Sequence, residues 1–170
     1  LDLSSIETGQ MVIECSPVSI KEIVNKSVSI IMPEATSRQI EIYNRIKSDE
    51  MVFANEVKLT QVVLNLLSNA VKYNNLSGAI YIDCKRESSD LIVSIRDTGM
   101  GIAQADFSRL FSPFERLDKV YSDIEGTGIG LSVTKRLLQV MGGDIGVESE
   151  IGVGTTFWFQ LPVSELAEAN

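Results

Sequence analysis

Asn65, Asn69 and Lys72 bring chemistry that a buried helix does not need. They stand at i, i+4 and i+7 in "LTQVVLNLLSNAVKYNN", residues 59 to 75, so two amides and an ammonium stack along one face, with Tyr73 one turn beyond Asn69. The rest of the pattern is ordinary, since Leu59, Val62, Val63, Leu66, Leu67, Ala70 and Val71 recur at helical spacing. Asparagine is a middling helix former because its side chain competes for backbone hydrogen bonds. A pair of them in a well-packed helix points to work done by the side chains.

Three glycine-containing segments carry further candidates. In "RDTGMGI", residues 96 to 102, Asp97 shares a strand face with Leu91, Val93 and Ile95 and so points inward. A carboxylate at the mouth of an apolar face needs a partner or shifts its pKa. A purine amine would supply that partner, and Gly99 and Gly101 would let backbone approach a ligand closely. An Asp capping a surface turn explains D-x-G-x-G equally well. "EGTGIGLS", residues 125 to 132, opens a helix, whose free N–H groups and positive dipole end suit phosphate. A plain loop-to-helix turn also accounts for it. It is not a Walker A motif, because no Lys-Ser/Thr follows the last glycine, nor a Rossmann fingerprint, because no strand leads directly into it. "GVGTTFWF", residues 152 to 159, reads as a hairpin turn into a strand whose threonines could touch a ligand.

Composition limits the possibilities. With 170 residues and 44% hydrophobic side chains the chain forms one compact domain with a real core. Its net charge of −8 argues against the basic surface that nucleic acid or an anionic membrane would require. The absence of histidine removes imidazole bases, catalytic triads and imidazole metal ligands. A metal would therefore take oxygen ligands, which favours a hard ion such as Mg2+. Cys15 and Cys84 lack CxxC spacing and fit reduced thiols in a reducing compartment. No apolar run approaches a membrane span, no signal peptide opens the chain, and the lack of an initiator Met predicts a piece of a longer protein.

These candidates must be positioned by alternating strands and helices. "QMVIEC" reads as a strand, followed after Pro17 by a helix on Ile20, Ile23, Val24, Val28 and Ile31 that ends before Pro33. "QIEIYN" and "MVFA" read as strands, and the polar-striped helix runs from about Glu56 to Tyr73. "AIYIDCKRE" and "DLIVSIRD" read as paired strands, "GLSVTKRLLQVMGG" as a helix, and "DIGVESE" with "GTTFWFQLP" as a closing hairpin. Between them, residues 98 to 128 show little periodicity, as a mobile lid would. The expected fold is α+β, a two-layer α/β sandwich with a mixed sheet and helices on one face.

In order, these segments resemble the ATP-binding catalytic domain of sensor histidine kinases, within the superfamily of gyrase, Hsp90 and MutL. "LNLLSNAVKY" is similar to the N box, "RDTGMGI" to the G1 box and "LFSPFERLD" to the F box; "GTGIGL" and "GVGT" are similar to G2 and G3. The resemblance covers about Pro17 to Pro162 and implies the Bergerat fold. It implies that Asn69 coordinates Mg2+ through its amide oxygen, that Asn65 contacts phosphate or the metal's waters, and that Lys72 neutralises phosphate. It implies that Tyr73 lines the nucleotide site and that Asp97 accepts from the adenine amine beside Gly99, Gly101 and Ile102. Gly126, Thr127, Gly128, Ile129, Gly130 and Leu131 would free the lid and present amides to ATP, with Thr155 at the sheet end. Phe111 and Phe114 would hold the lid, although any core also needs phenylalanines. Arg116 would reach the γ-phosphate and act with Asn65 and Lys72 in catalysis, although Arg116 and Lys119 also read as surface charges.

The hydrolytic branches of that superfamily resemble E-x-x-x-N, where the Glu activates water. Here the residue four before Asn69 is Asn65, which cannot take a proton at neutral pH. The resemblance thus implies transfer to a histidine on a dimerisation domain, with a response-regulator receiver domain downstream. "LDLSSIETGQ", residues 1 to 10, is similar to the end of that domain's second helix, leaving 11–165 as the catalytic domain (lid about 99–128) and 166–170 as a tail. The implied location is cytoplasmic, with the parent protein free to be anchored in the inner membrane, and this domain contacts neither membrane nor nucleic acid. An ATP-hydrolysing conformational machine and a non-catalytic interaction module are the rival classes. Asn65 counts against the first, and the intact N, G1 and G2 residues count against the second.

Overall fold

The computed structural model describes residues 12–112 and 129–164. The expectations for residues 1–10 and 166–170, and for Phe114, Arg116, Lys119, Gly126, Thr127 and Gly128, lie outside them. In chain order the elements are β1 (Ser16–Ser19), α1 (Ile20–Ser37), β2 (Glu41–Asn44), β3 (Met51–Ala54), α2 (Glu56–Lys72), β4 (Ala79–Glu87) and β5 (Asp90–Asp97). A 3-10 helix (Gln104–Arg109), α3 (Ile129–Val140), β6 (Asp144–Glu150) and β7 (Gly154–Pro162) follow. The main sheet runs β2-β4-β5-β7-β6, with β2 and β4 parallel and the other neighbours antiparallel. The three helices form one layer, in which α2 packs between α1 and α3 and against β5. This is the α+β sandwich that the sequence implied.

Local signals explain the helices. Ser19 caps α1 by accepting from Glu22 N at 3.1 Å, and Asn55 caps α2 by accepting from Lys58 N at 3.0 Å. The apolar face of α2, from Leu59 to Val71, is buried in the core. Each such side chain contributes about 1.5–3 kcal/mol on burial, whereas an asparagine costs a helix at most about 0.7 kcal/mol relative to alanine. Packing therefore outweighs the poor propensity of Asn65 and Asn69.

Two boundaries differ from the expectation. The helix does not end before Pro33, which lies inside α1 with an exposed side chain. Its missing N–H frees only the carbonyl of Ser29, an exposed residue that water can reach, while Ile31 and Ala35 on either side are buried and hold the helix. The first strand is not "QMVIEC" but Ser16–Ser19, with Pro17 opposite Phe53 in a two-stranded ribbon with β3. An edge ribbon with one partner tolerates a proline. The expected irregularity across 98–128 is also corrected at residues 104–109, where the 3-10 helix forms.

The end of α2 is held from outside. Arg38, just past α1, donates through Nη1 to the carbonyls of Val71 at 2.6 Å and Lys72 at 2.8 Å, and through Nη2 to Asn74 at 2.9 Å. The carbonyls of Val71 and Lys72 belong to the last turn of α2, which lacks intrahelical donors and is its negative dipole end, and that of Asn74 lies just beyond it. Arg38→Ala is expected to destabilise the fold by about 2–3 kcal/mol in urea denaturation, since charged hydrogen bonds of this kind are lost together. An unchanged midpoint would show that water caps the helix equally well.

Candidate functional site

The strand alternation of β5 brings Asp97 inward, and it is 6% exposed at the end of a row of buried Leu91, Val93 and Ile95. Its Oδ1 accepts from Gly99 N at 2.8 Å and Thr155 N at 3.2 Å. Oδ2 has no donor among the described residues, and no cation pairs with the group there. Burial pushes its pKa from 3.8 up to about 6, against the opposing pull of those two backbone donors. Asp97 is thus a buried carboxylate with one oxygen anchored and one open.

The loop after Asp97 is fastened mainly through its backbone. A Cβ on Gly99 would lie 2.2 Å from the Tyr73 carbonyl oxygen, so only glycine allows that approach. Gly101 has φ of +78°, the left-handed region, beside Glu150 O. Met100 N donates to Tyr73 O at 3.4 Å, Gly152 N to Met100 O at 2.9 Å, and Ile102 N to Ser149 Oγ at 2.7 Å. The Ser149 and Thr155 hydroxyls lie 2.8 Å apart. The end of α2, the loop after β5 and the β6–β7 hairpin therefore meet around Asp97.

On α2, Asn65, Asn69, Lys72 and Tyr73 are all half-buried. Asn65 Nδ2 donates to Thr134 Oγ1 on α3 at 3.1 Å, and Thr134 Oγ1 donates to Gly130 O at 2.7 Å. The side chains of Asn69 and Lys72 have no such partner among the described residues. α3 begins at Ile129, so the backbone N–H groups of Ile129, Gly130 and Leu131 fall in its first turn and have no intrahelical acceptor among the described residues. Phe111 sits edge-on to Phe157 of β7, with ring centroids 6.4 Å apart, and the Lys135 ammonium lies 5.3 Å from its ring centre. That contact roots the chain before residue 113 on the body.

The structure thus brings Asp97, Gly99, Gly101, Ile102, Tyr73 and Thr155 together, and sets Asn65 against Thr134 in the second turn of α3. Four participants escaped the sequence reading. Thr134, Ser149, Asn74 and Thr98 are common polar residues, each with a partner at least 19 positions away. Asn74 is buried, donates to Ala79 O at 3.0 Å and accepts from Thr98 Oγ1 at 3.1 Å, which shapes the turn after α2. A polar residue one position past the stripe was the available signal for Asn74. For Thr134 there was none.

Residues 54–165 match the family model described as histidine kinase-, DNA gyrase B-, and HSP90-like ATPase. The sensor protein GacS of Pseudomonas syringae pv. syringae is 33% identical over 175 residues, covering 99% of this chain and 19% of GacS. The sensor histidine kinase RcsC of Escherichia coli K12 is 36% identical over 166 residues, covering 96% of this chain and 17% of RcsC. The chain thus spans about a fifth of the length of the curated relatives it matches. Among solved structures, full-length ShkA in complex with AMPPNP superposes with a TM-score of 0.83 at 29% identity, covering 95% of this chain and 34% of ShkA.

The raised pKa of Asp97 has a thermodynamic consequence. Because the folded value lies above the unfolded one, ionisation costs stability; the cost is absent below about pH 4, grows as pH rises to about 6, and stays constant above. Asp97→Asn keeps an oxygen for Gly99 and Thr155 and removes the charge. The variant is expected to be about 1–3 kcal/mol more stable than the native chain at pH 7.5, with the difference closing near pH 4, as read by chemical denaturation at both pH values. A variant less stable at pH 7.5 would mean that the charge is compensated.

Proposed function

The chain belongs to the histidine kinase-, DNA gyrase B- and HSP90-like ATPase family, and we propose that it is the ATP-binding half of a sensor histidine kinase. The single observation that carries this reading is Asp97, buried beside an apolar strand face with one oxygen held and the other open. An exocyclic amine donating to that oxygen would offset its desolvation, and adenine has such an amine. The relatives named above are sensor kinases, which supports the same reading.

The phosphates would lie between the α2 stripe and the first turn of α3. Lys72 and the N–H groups of Ile129, Gly130 and Leu131 would neutralise and hold them, with Gly126, Thr127 and Gly128 before them. Mg2+ fits the donor set as an ion shared with phosphate. Among the described residues no three acidic, Cys or His side chains cluster, while Asn69 offers an amide oxygen and Asn65 Oδ1 lies one turn away. Mg2+ would be held by Asn69 and would supply neutralisation of phosphate charge. Phe114 and Arg116 would act in the lid, the latter at the γ-phosphate.

Asn65 stands where the hydrolytic branches resemble a glutamate, and an amide oxygen is no base for water. The γ-phosphate would then wait for a histidine, which this chain does not contain. We place that acceptor on a dimerisation domain joined through residues 1–10, with 11–165 as the catalytic domain and a receiver domain as the next phosphate acceptor. Transfer of this kind is positioning plus charge stabilisation, so the chain alone would bind ATP without phosphorylating itself. No helix of the described residues is long and apolar enough to cross a membrane, and we propose a cytoplasmic place for this domain, whether or not its parent is anchored in the inner membrane.

Calorimetric titration with a non-hydrolysable ATP analogue tests this directly. Binding strengthened by Mg2+ is expected, with the magnesium increment lost in Asn69→Ala and overall affinity lowered by about 1–3 kcal/mol in Asp97→Asn. Equal affinity with and without Mg2+ in the native chain would remove the case for Asn69, and no binding at all by a folded chain would overturn the reading.

A further inference from the structure

We propose that Thr134 is a positioning residue that sets which end of the Asn65 amide faces the nucleotide phosphates. The inference rests on the ATP-site reading above. Thr134 is fully buried on α3. A threonine hydroxyl has one hydrogen to donate and lone pairs to accept with. That hydrogen is committed to Gly130 O at 2.7 Å, one turn earlier in the same helix. Thr134 can therefore meet Asn65 only as an acceptor, and the contact is Nδ2 to Oγ1 at 3.1 Å.

The consequence lies at the other end of the amide. An asparagine carries its donor NH2 and its acceptor oxygen on the same carbon, and the surrounding hydrogen bonds decide which way round they sit. Pinning Nδ2 on Thr134 turns Oδ1 away from it, leaving the acceptor for a metal-bound water or a cation. The reversed amide would offer an NH2 there, which a hard cation rejects and no metal-bound water can donate to. Thr134 also spans two elements of the site, since Gly130 lies in the first turn of α3 and Asn65 in the stripe on α2. Serving its own helix requires only the Gly130 bond, which a buried threonine makes routinely. The Asn65 contact, between residues 69 positions apart, is the part that helix does not explain.

Thr134→Val keeps the side-chain shape and removes both hydrogen bonds, whereas Thr134→Ser keeps the hydroxyl. Each chain is titrated with AMPPNP in Mg2+ and, separately, with ADP in excess EDTA. For Thr134→Val we expect Mg–AMPPNP affinity to fall about 5- to 20-fold while Mg-free ADP affinity stays within about twofold, as one lost hydrogen bond or a reversed amide predicts. Thr134→Ser is expected to keep the native Mg2+ increment, and in an Asn65→Ala background Thr134→Val is expected to cost nothing more. Native Mg2+ dependence in the valine variant overturns the inference and leaves the ATP site standing. Absence of nucleotide binding by the native chain overturns the ATP-site reading first, and equal affinity with and without Mg2+ in the native chain overturns this inference together with the Asn69 assignment. A second measurement needs no variant to fold: in the native chain the Asn65 side-chain NH2 is expected to exchange slowly with solvent and to show an NOE to the Thr134 methyl group. Exchange at the rate of a free asparagine side chain overturns the pinning.

Discussion

One buried carboxylate organises this molecule. Asp97 arrives at the sheet end because β5 alternates, and the same alternation that buries Leu91, Val93 and Ile95 gives it no outward option. Two backbone N–H groups, from Gly99 and Thr155, stabilise its charge without cancelling the cost of burial, so its pKa remains raised. Holding those donors in place requires three separate pieces of chain: the loop after β5, the β6–β7 hairpin and the end of α2. The sheet order, with β5 flanked by β4 and β7, places all three there. A fold selected for stability alone would gain from an amide at position 97.

The α2 helix is the second constraint, and its two faces are decided by different terms. The apolar face carries the folding energy, and the loss from two asparagines is small beside it. The polar face is left half-buried, with its backbone end and Asn65 pre-arranged. Arg38 ties the last carbonyls of α2, Asn74 and Thr98 close the turn beyond it, and Thr134 holds Asn65. A ligand meeting these groups would find most of the ordering entropy already lost in folding, which is how preorganised sites gain affinity.

Much of this was legible in the sequence, for identifiable reasons. α2, β4, β5, α3 and the closing hairpin have strong periodicity, cap residues such as Asn55 and glycine stops, so local physics and tertiary structure agree on them. Asp97 was readable because a charge on an apolar strand face is a local contradiction. Pro33 and the first strand misled because tertiary burial of Ile31 and Ala35, and the ribbon between β1 and β3, override local preference. Arg38 and Thr134 were invisible for a different reason. Their roles consist of bonds to residues 33 to 69 positions away, and nothing in their immediate neighbours encodes those partners.

The most direct test of the account is the titration of Asp97 itself. Carbon-13 NMR of the Asp97 side-chain carboxyl, followed from pH 4 to pH 8 without and with saturating ADP, reads its charge in both states. The account predicts a midpoint near 6 in the free chain and a lower one when an adenine amine donates to the carboxylate, since hydrogen bonding to the charged form favours it. An ordinary midpoint near 4 in the free chain, or a midpoint that bound nucleotide does not move, would contradict it.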